Sequence, residues 1–363
     1  MRRIHILGLG SVGTLLAHYI RQASPRLAIS LIVRKPESFS GSLTVTRCGV
    51  ASSSTGYNFE RPIPSGVDID ILLVTTKAAQ TLPAIRAIFP RLGPNSVIAL
   101  LQNGMGVAEK LTTLWPKQKA MPWIVLGTTT HGVAPVSGVS RGAVIHHTPF
   151  GQGDVKWGLL PQQQGIGTEN RIFQLCEDSV IRSVDESSPG IHALSQFDNL
   201  IPALQILLSV SLLNPVLLPY EKLREAMLMK LAANAVINPL TAILGRGQLP
   251  NGSLCKDENG EELLNVTIQE TSKVLVAYLQ SQDVTDETLE AFRYPQLRKH
   301  ITNVLQVTSQ NTSSMALDIR EQRMTEVEYI NGHVIKLGQK AKVTTPVNEM
   351  LYNMIRLIEH TRQ

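Results

Sequence analysis

Lys230, Asn234 and Asn238 stand at i, i+4 and i+8 in the segment Lys230-Leu231-Ala232-Ala233-Asn234-Ala235-Val236-Ile237-Asn238-Pro239. On a helix that spacing puts all three on one face. An ammonium and two carboxamides in so apolar a helix need partners or water. An ordinary polar stripe is the plainer reading of this segment alone. Turned toward a ligand, the stripe offers one cation and two groups that both donate and accept. A second such concentration is Ser313-Ser314-Met315-Ala316-Leu317-Asp318-Ile319-Arg320, followed by Thr325-Glu326-Val327-Glu328-Tyr329-Ile330-Asn331-Gly332. On one unbroken helix Ser314 and Glu326 would be about 18 Å apart, too far to share a small molecule. Thr325-x-x-Glu328 has the form of a capping box. It predicts a new helix there, with Val327, Ile330, Val334 and Leu337 buried and Glu326 in the first turn. An ammonium can stabilise negative charge developing on an oxygen and then donate a proton to it. A carboxylate such as Glu326 can hold that ammonium in place.

Gly8-Leu9-Gly10-Ser11-Val12-Gly13 follows an apolar run and opens a helical pattern. Such glycines permit a tight turn, close backbone approach to a pyrophosphate, and helix–strand contact. The following helix N-terminus stabilises the phosphate charge. The second strand ends at Val33-Arg34-Lys35, where a dinucleotide with a free ribose 2′-hydroxyl usually meets Asp or Glu. A cation there suits a 2′-phosphate, and Arg34 can make a forked contact that Lys35 cannot. The expected cofactor is therefore NADP(H). Thr75-Thr76-Lys77 and Gln102-Asn103-Gly104 close two further strands. Strand C-terminal ends are where open α/β sheets bind ligands. Lys77 could meet a substrate anion, and Asn103 could bond nicotinamide, ribose or substrate. Read alone, Asn103-Gly104 is a turn. His131 and His146-His147 pair with no visible carboxylate and are set aside as catalytic acids.

These residues need elements to hold them. Apolar runs at Ile4–Leu7, Ala28–Val33, Ile69–Thr75, Val97–Leu101 and Trp123–Leu126 read as parallel strands buried on both faces. Helical patterns at Val12–Ala23 and Ala79–Phe89 lie between them. That alternation predicts a doubly wound α/β domain. Ala143–His147 and Val155–Leu159 read as two further strands at its edge, and Gln162–Gly167 and Ser187–Gly190 as loops. From about residue 219 strand signals become scarce. Glu221–Ile237 is helical, and Thr345 caps a last helix with Pro346 at its first position. The expected domains are 1–218, Rossmann-like and NADP-binding, and 219–363, all-α and carrying substrate and catalytic residues.

The 363 residues, 43% hydrophobic and 17% charged, suit a soluble globular chain of two domains. A net charge of +5 fits an anionic ligand, and no Lys/Arg run points to nucleic acid. Three scattered cysteines suggest neither a metal site nor a disulfide framework, so a reducing, cytoplasmic compartment is expected. Asn199–Tyr220 is uncharged and Leu-rich but broken by three prolines, so a buried helix is preferred to a membrane span.

With these blocks in order along nearly the whole chain, the sequence resembles the ketopantoate reductases (2-dehydropantoate 2-reductases), and its length resembles fungal-type members. The matching pieces are Gly8–Gly13, Arg34, Lys77, Gln102-Asn103-Gly104, Lys230–Thr241 and Ser313–Gly332. The resemblance implies a Rossmann domain binding NADPH and a helical domain closing over it, with a 2-oxo acid in the cleft. It implies Lys230 as general acid, assisted by Glu326 at the substrate hydroxyl or ketone. Ser314 would bind the substrate carboxylate, and Asn234 and Asn238 would orient its hydroxyl end. Lys77 and Asn103 would line the cofactor side. Two alternatives stay open: a reductase of another 2-oxo acid, and a non-catalytic binding relative in the same fold. A homodimer is open too. Cys48–Arg61 and about Ser187–Tyr220 read as insertions outside the motif blocks.

If Arg34 grips the 2′-phosphate, the charge-assisted contact is worth about 1.5–3 kcal/mol, or roughly 10–150-fold in affinity. Arg34→Ala should weaken NADPH by that factor and leave NADH nearly untouched, as read by fluorescence titration of both cofactors. Equal losses for the two would defeat the assignment.

Overall fold

The structure is a computed structural model that describes residues 3–116, 120–136, 138, 141–161, 172, 199–245, 247–282 and 284–361. The loops expected at Gln162–Gly167 and Ser187–Gly190 lie outside these residues. The chain forms two compact units. The first is Met1–Gln102 with Val107–Leu223; the second is Asn103–Gly106 with Arg224–Gln363.

Twelve strands are described in the first unit: β1 Arg3–Leu7, β2 Ala28–Ile32, β3 Phe39–Arg47, β4 Val50–Ser54, β5 Tyr57–Glu60, β6 Ile71–Val74, β7 Val97–Leu101, β8 Trp123–Thr129, β9 Val133–Pro135, β10 Arg141–His146, β11 Val155–Leu159 and β12 Pro215–Leu217. Its helices are α1 Ser11–Ala23, α2 Ala78–Ile88, α3 Val107–Thr112 and α4 Leu200–Leu208. The main sheet runs β12-β11-β8-β7-β6-β1-β2-β5. From β8 to β5 every neighbouring pair is parallel. Apolar residues fill the central strands because both faces are covered; all four residues of β6 are buried. Chain order reverses between β1 and β6, which makes the C-terminal ends of these strands the switch point where such sheets bind ligands.

A second sheet, β4-β3-β10-β9, packs on α1. Leu43, Val45 and Val144 from that sheet share a core with Leu15, Leu16 and Tyr19 of α1. Residues from Cys48 to Arg61 are built into the two sheets: they supply β4 and the edge strand β5, which pairs parallel with β2. Cys48 and Gly49, at φ 50° and 78°, make the two-residue turn between paired Arg47 and Val50, where both central residues need positive φ. Contrary to expectation, β10 does not edge the main sheet; it pairs with β3 and β9. Its residues alternate because only one face meets α1. The Leu-rich stretch after Asn199 forms buried α4 and then β12.

The regular elements described in the second unit are all helical: α5 Tyr220–Leu244, α6 Glu258–Gln280, α7 Asp286–Phe292, α8 Tyr294–Val307, α9 Ser314–Arg320, α10 Asn331–Ala341 and α11 Pro346–Thr361. Helix α5 starts in the first unit and is long and apolar enough to cross a membrane, but Leu228, Leu231, Ala232, Ala235, Val236 and Leu240 lie in the helical unit's core. It also runs on through Pro239, where proline normally ends a helix. The carbonyl of Ala235, which residue 239 cannot serve, accepts instead from Asn331 Nδ2 at 2.9 Å.

Two capping expectations need correction. Thr325 is followed by one tight turn, Val327–Tyr329, and α10 begins only at Asn331. The backbone N–H and hydroxyl of Thr325 both donate to Glu359, each at 2.7 Å. At α11 the first-turn N–H groups of Val347 and Asn348 donate to Glu270, each at 2.8 Å, while the Thr345 hydroxyl donates to Glu349. At Thr325 the hydroxyl still caps the turn, accepting from Val327 N–H at 3.2 Å, and Glu359 adds to it; at α11 the Glu270 carboxylate takes the place of the Thr345 hydroxyl. A carboxylate is the stronger acceptor for orphan N–H groups and complements the helix dipole.

One buried chain in the first unit has a single allowed direction. His131 Nε2 must carry a proton, because it donates to the Leu213 carbonyl at 3.0 Å. Its Nδ1 is then the acceptor for His146 Nε2 at 3.0 Å. That leaves His146 Nδ1 to accept from the Tyr19 hydroxyl at 3.3 Å. Burial, then the Arg47 charge, then His131 and His147 depress His146 to about 3. Burial also lowers His131. A histidine depressed in the fold takes up its proton first in the unfolded chain. Stability is therefore complete above pH 6.5 and declines as pH falls toward about 3. Between pH 7 and 5 His146 alone should remove about 2 kcal/mol. His146→Gln should flatten the fall of the urea midpoint over that interval; an unchanged slope would exclude this origin.

Candidate active site

The glycine loop comes first. Gly8 adopts φ +94°, and a Cβ there would lie 2.7 Å from Thr76 Cγ2 and 2.9 Å from the Thr76 nitrogen. Its N–H donates to Ile32 O at 3.1 Å, tying the loop to the end of β2. The Thr75 hydroxyl donates to Gly8 O at 2.6 Å. A Cβ on Gly13 would overlap both Gly8 O and Thr75 Oγ1. Gly10 is different: a Cβ there would meet nothing within 4 Å. The first and third glycines are thus required by the protein's own packing, and the second leaves open space at the α1 N-terminus. No acidic residue occupies the first turn of α1. That open cradle under unopposed N–H groups fits a pyrophosphate. Leu9, Ser11 and Val12 complete the loop around it. Arg34 is exposed two residues beyond β2, and its side chain makes no ion pair with a described residue. Lys77 directly follows Thr76 and starts α2, half-buried.

The other polar residues lie in the helical unit. Lys230 Nζ donates to Asn103 Oδ1 at 2.9 Å, and Asn103 Nδ2 donates to Glu326 Oε2 at 3.4 Å. Asn103 belongs to the helical unit although it follows β7 directly. Its carboxamide touches both the ammonium and the carboxylate. The neighbouring glycine makes this placement feasible. Gly104 has φ +76°, and a Cβ on it would overlap the carbonyl of Tyr329. Met105 N–H donates to that same carbonyl at 2.9 Å. Residues 103–106 therefore seat against the turn that carries Glu326. Glu326 is buried, with 8% of its surface exposed. Lys230 and Asn234 are half-buried, and Asn238 is buried. The side-chain amides of Asn234 and Asn238 hydrogen-bond to none of the described residues, which leaves them for a ligand.

Ser314 is exposed at the first position of α9. Its neighbour Ser313 is the cap, accepting from Ala316 N–H at 3.1 Å, and it is joined to Thr241 of α5 at 2.8 Å between hydroxyls. That anchor holds the start of α9 one turn beyond Asn238. The break expected between Ser314 and Glu326 falls at the end of α9, where Gln322 takes φ +55° and Arg323 N–H returns to Asp318 O at 2.8 Å. The sequence reading missed Asn331, Glu359 and Glu270. Asn331 had a signal: Pro239 inside an otherwise regular helix calls for an outside donor.

The sequence from residue 4 to 162 matches the model of the family described as ketopantoate reductase PanE/ApbA, and residues 222 to 359 match that of its C-terminal domain. The chain belongs to the ketopantoate reductase family. It is 28% identical to a 2-dehydropantoate 2-reductase of Vibrio cholerae, over 99% of this chain and 98% of that one. A Saccharomyces cerevisiae 2-dehydropantoate 2-reductase is 27% identical, with 92% of this chain and 88% of that one covered. Among solved structures the fold is similar to a 2-dehydropantoate 2-reductase from Geobacter metallireducens, with TM-score 0.69, 20% identity and coverage of 98% and 99%. It is also similar to D-mandelate dehydrogenase with NADH and anilino(oxo)acetate, with TM-score 0.73, 19% identity and 99% of each chain covered.

The two inner glycines should separate cleanly on substitution. Gly13→Ala forces a side chain into Gly8 and Thr75 and should lower the melting temperature by several degrees, about 1–3 kcal/mol of overpacking. Gly10→Ala should melt near the native temperature yet weaken NADPH by roughly tenfold or more, because the methyl occupies the phosphate's approach. Thermal melts and a cofactor titration on both variants decide it.

Proposed function

We propose that this protein reduces the ketone of 2-dehydropantoate to pantoate with NADPH, the step that feeds pantothenate and coenzyme A synthesis. The observation that carries the reading is the trio Lys230, Asn103 and Glu326, with one carboxamide bonded to both charged groups.

When bound, NADPH supplies the hydride to the ketone carbon; Gly8–Gly13 would cradle its pyrophosphate and Arg34 its 2′-phosphate. As the ketone oxygen gains charge, the Lys230 ammonium stabilises it and donates a proton from Nζ to the nascent alkoxide. Asn103 aims Nζ: a lysine on its flexible stem is otherwise a poorly directed donor. Glu326 accepts one Asn103 N–H, which fixes the carboxamide's orientation, and stands beside the substrate hydroxyl. Asn234 and Asn238 orient that hydroxyl end from the same α5 face. The exposed Ser314 hydroxyl binds the substrate carboxylate. The protein works as a reductase of a small 2-oxo acid in the cytoplasm.

The test is NADPH oxidation by purified protein with a panel of 2-oxo acids that includes 2-dehydropantoate and phenylglyoxylate. Preference for 2-dehydropantoate is expected; preference for another member redirects the substrate assignment. Lys230→Ala should lower kcat roughly 10²-fold or more and leave NADPH affinity nearly unchanged. Near-normal kcat would remove Lys230 as the acid.

A further inference from the structure

We infer that Asn331 is a positioning residue for this site: its carboxamide replaces the N–H that Pro239 lacks and so ties the helix carrying Lys230 to the turn carrying Glu326. The inference rests on the proposed reductase function for its kinetic consequence, but not for its geometry.

In a helix the N–H of residue 239 would serve the carbonyl of Ala235. Proline has no such hydrogen, and a buried carbonyl without a donor is unfavourable. Asn331 is wholly buried, at 0% exposure, and its Nδ2 donates to Ala235 O at 2.9 Å. The second hydrogen of that nitrogen goes to Asn348 Oδ1 at 3.0 Å. The orientation of the amide is forced. Ala235 O can only accept, and Asn348 Nδ2 is already committed to Glu270 Oε1 at 2.9 Å. Donation therefore runs outward from Asn331, to the Ala235 carbonyl on one side and through Asn348 to the carboxylate of Glu270 on the other. These bonds join α5, α10, α11 and α6.

The placement of the joint gives it leverage. Ala235 lies five positions after Lys230, and Asn331 five positions after Glu326. The same turn is fixed on its other side by the Thr325–Glu359 bonds and by Met105 on Tyr329. Without Asn331 the turn keeps those ties but loses its register against α5. Lys230 and Glu326 must then meet Asn103 from altered positions, and small misplacements of reacting groups carry large rate penalties. Asn331 does not touch the reacting atoms; it acts through Lys230 and Glu326.

The experiment compares Asn331→Ala, Pro239→Ala and the double variant in the full chain. Each is read by urea midpoint, by kcat, by NADPH affinity, and by the rate at which Lys230 is acetylated relative to surface lysines. Asn331→Ala should lower the midpoint, cut kcat by roughly tenfold or more, change Lys230 acetylation and spare NADPH affinity. Pro239→Ala restores a backbone donor to Ala235 and should leave kcat near native. In the double variant the midpoint should recover while kcat and acetylation stay altered, because the restored N–H lies inside α5 and ties it to nothing. Native kcat and acetylation in Asn331→Ala would overturn the inference. So would recovery of kcat in the double variant, which would reduce Asn331 to repairing a helix defect. Should Asn331→Ala fail to fold, the double variant, with its helical carbonyl served, carries the comparison against Pro239→Ala. If the native protein turns over no 2-oxo acid, the functional reading fails, and acetylation still decides the role of Asn331.

Discussion

One carboxamide organises the helical unit's polar cluster. Asn103 has an oxygen that only accepts and a nitrogen that only donates. The oxygen takes Lys230 Nζ, so the nitrogen is left for Glu326. A carboxylate at 103 would offer acceptors on both sides and set like charge against Glu326. An apolar residue would take away the hydrogen bond that each ionised group makes to Asn103. Only an amide bonds each with the right polarity and holds both aimed in one direction. Gly104 is the corollary, since any side chain there would displace the Tyr329 carbonyl on which this segment rests.

Behind that cluster, buried carboxylates take over the Thr345 cap and reinforce the Thr325 one. Glu270 accepts three hydrogen bonds from the start of α11, two from backbone and one from the Asn348 side chain. Glu359 accepts two from Thr325 and pairs with Arg356 at 2.8 Å. Each is almost fully enclosed and almost fully satisfied, which is the condition under which a buried charge is tolerable. Their effect is to fix where α11 starts and where the chain enters the Glu326 turn. The polar scaffold therefore makes the turn a defined object rather than a loop.

What could be read from the chain depended on how far each residue's partner lay along it. The glycine loop was legible because its requirements are local: a strand, a turn and a helix within ten residues or so. Gly8 and Gly13 have the packing reasons expected of a tight turn and a helix–strand contact, and Gly10 faces open space. The α/β alternation and the helical second half were legible from hydrophobic periodicity. The Lys230–Asn234–Asn238 face was legible from spacing. The strands β3 and β4 were not, because serines and glycines on a half-exposed sheet mimic a loop and the sheet's partner, α1, lies elsewhere in sequence. The caps at Thr325 and Thr345 were half legible: a helix boundary was due near each, but the acceptors came from 34 and about 77 residues away. Asn103 was read as part of a strand end and is that, yet its side chain serves residues 127 and 223 positions on. No local pattern encodes such a partner.

The four residues Asn103–Gly106 are an outpost of one unit inside the sequence of the other. The helical unit therefore has no contiguous coding segment. A fragment beginning at Arg224 holds every helix that packs around Glu326 but leaves Lys230 facing a missing oxygen, and leaves the Tyr329 carbonyl without Met105. During synthesis Asn103 emerges more than a hundred residues before the lysine it will hold. Splitting or recombining this gene at its apparent domain boundary would thus separate the Lys230 ammonium from the carboxamide that it bonds, even where both halves fold.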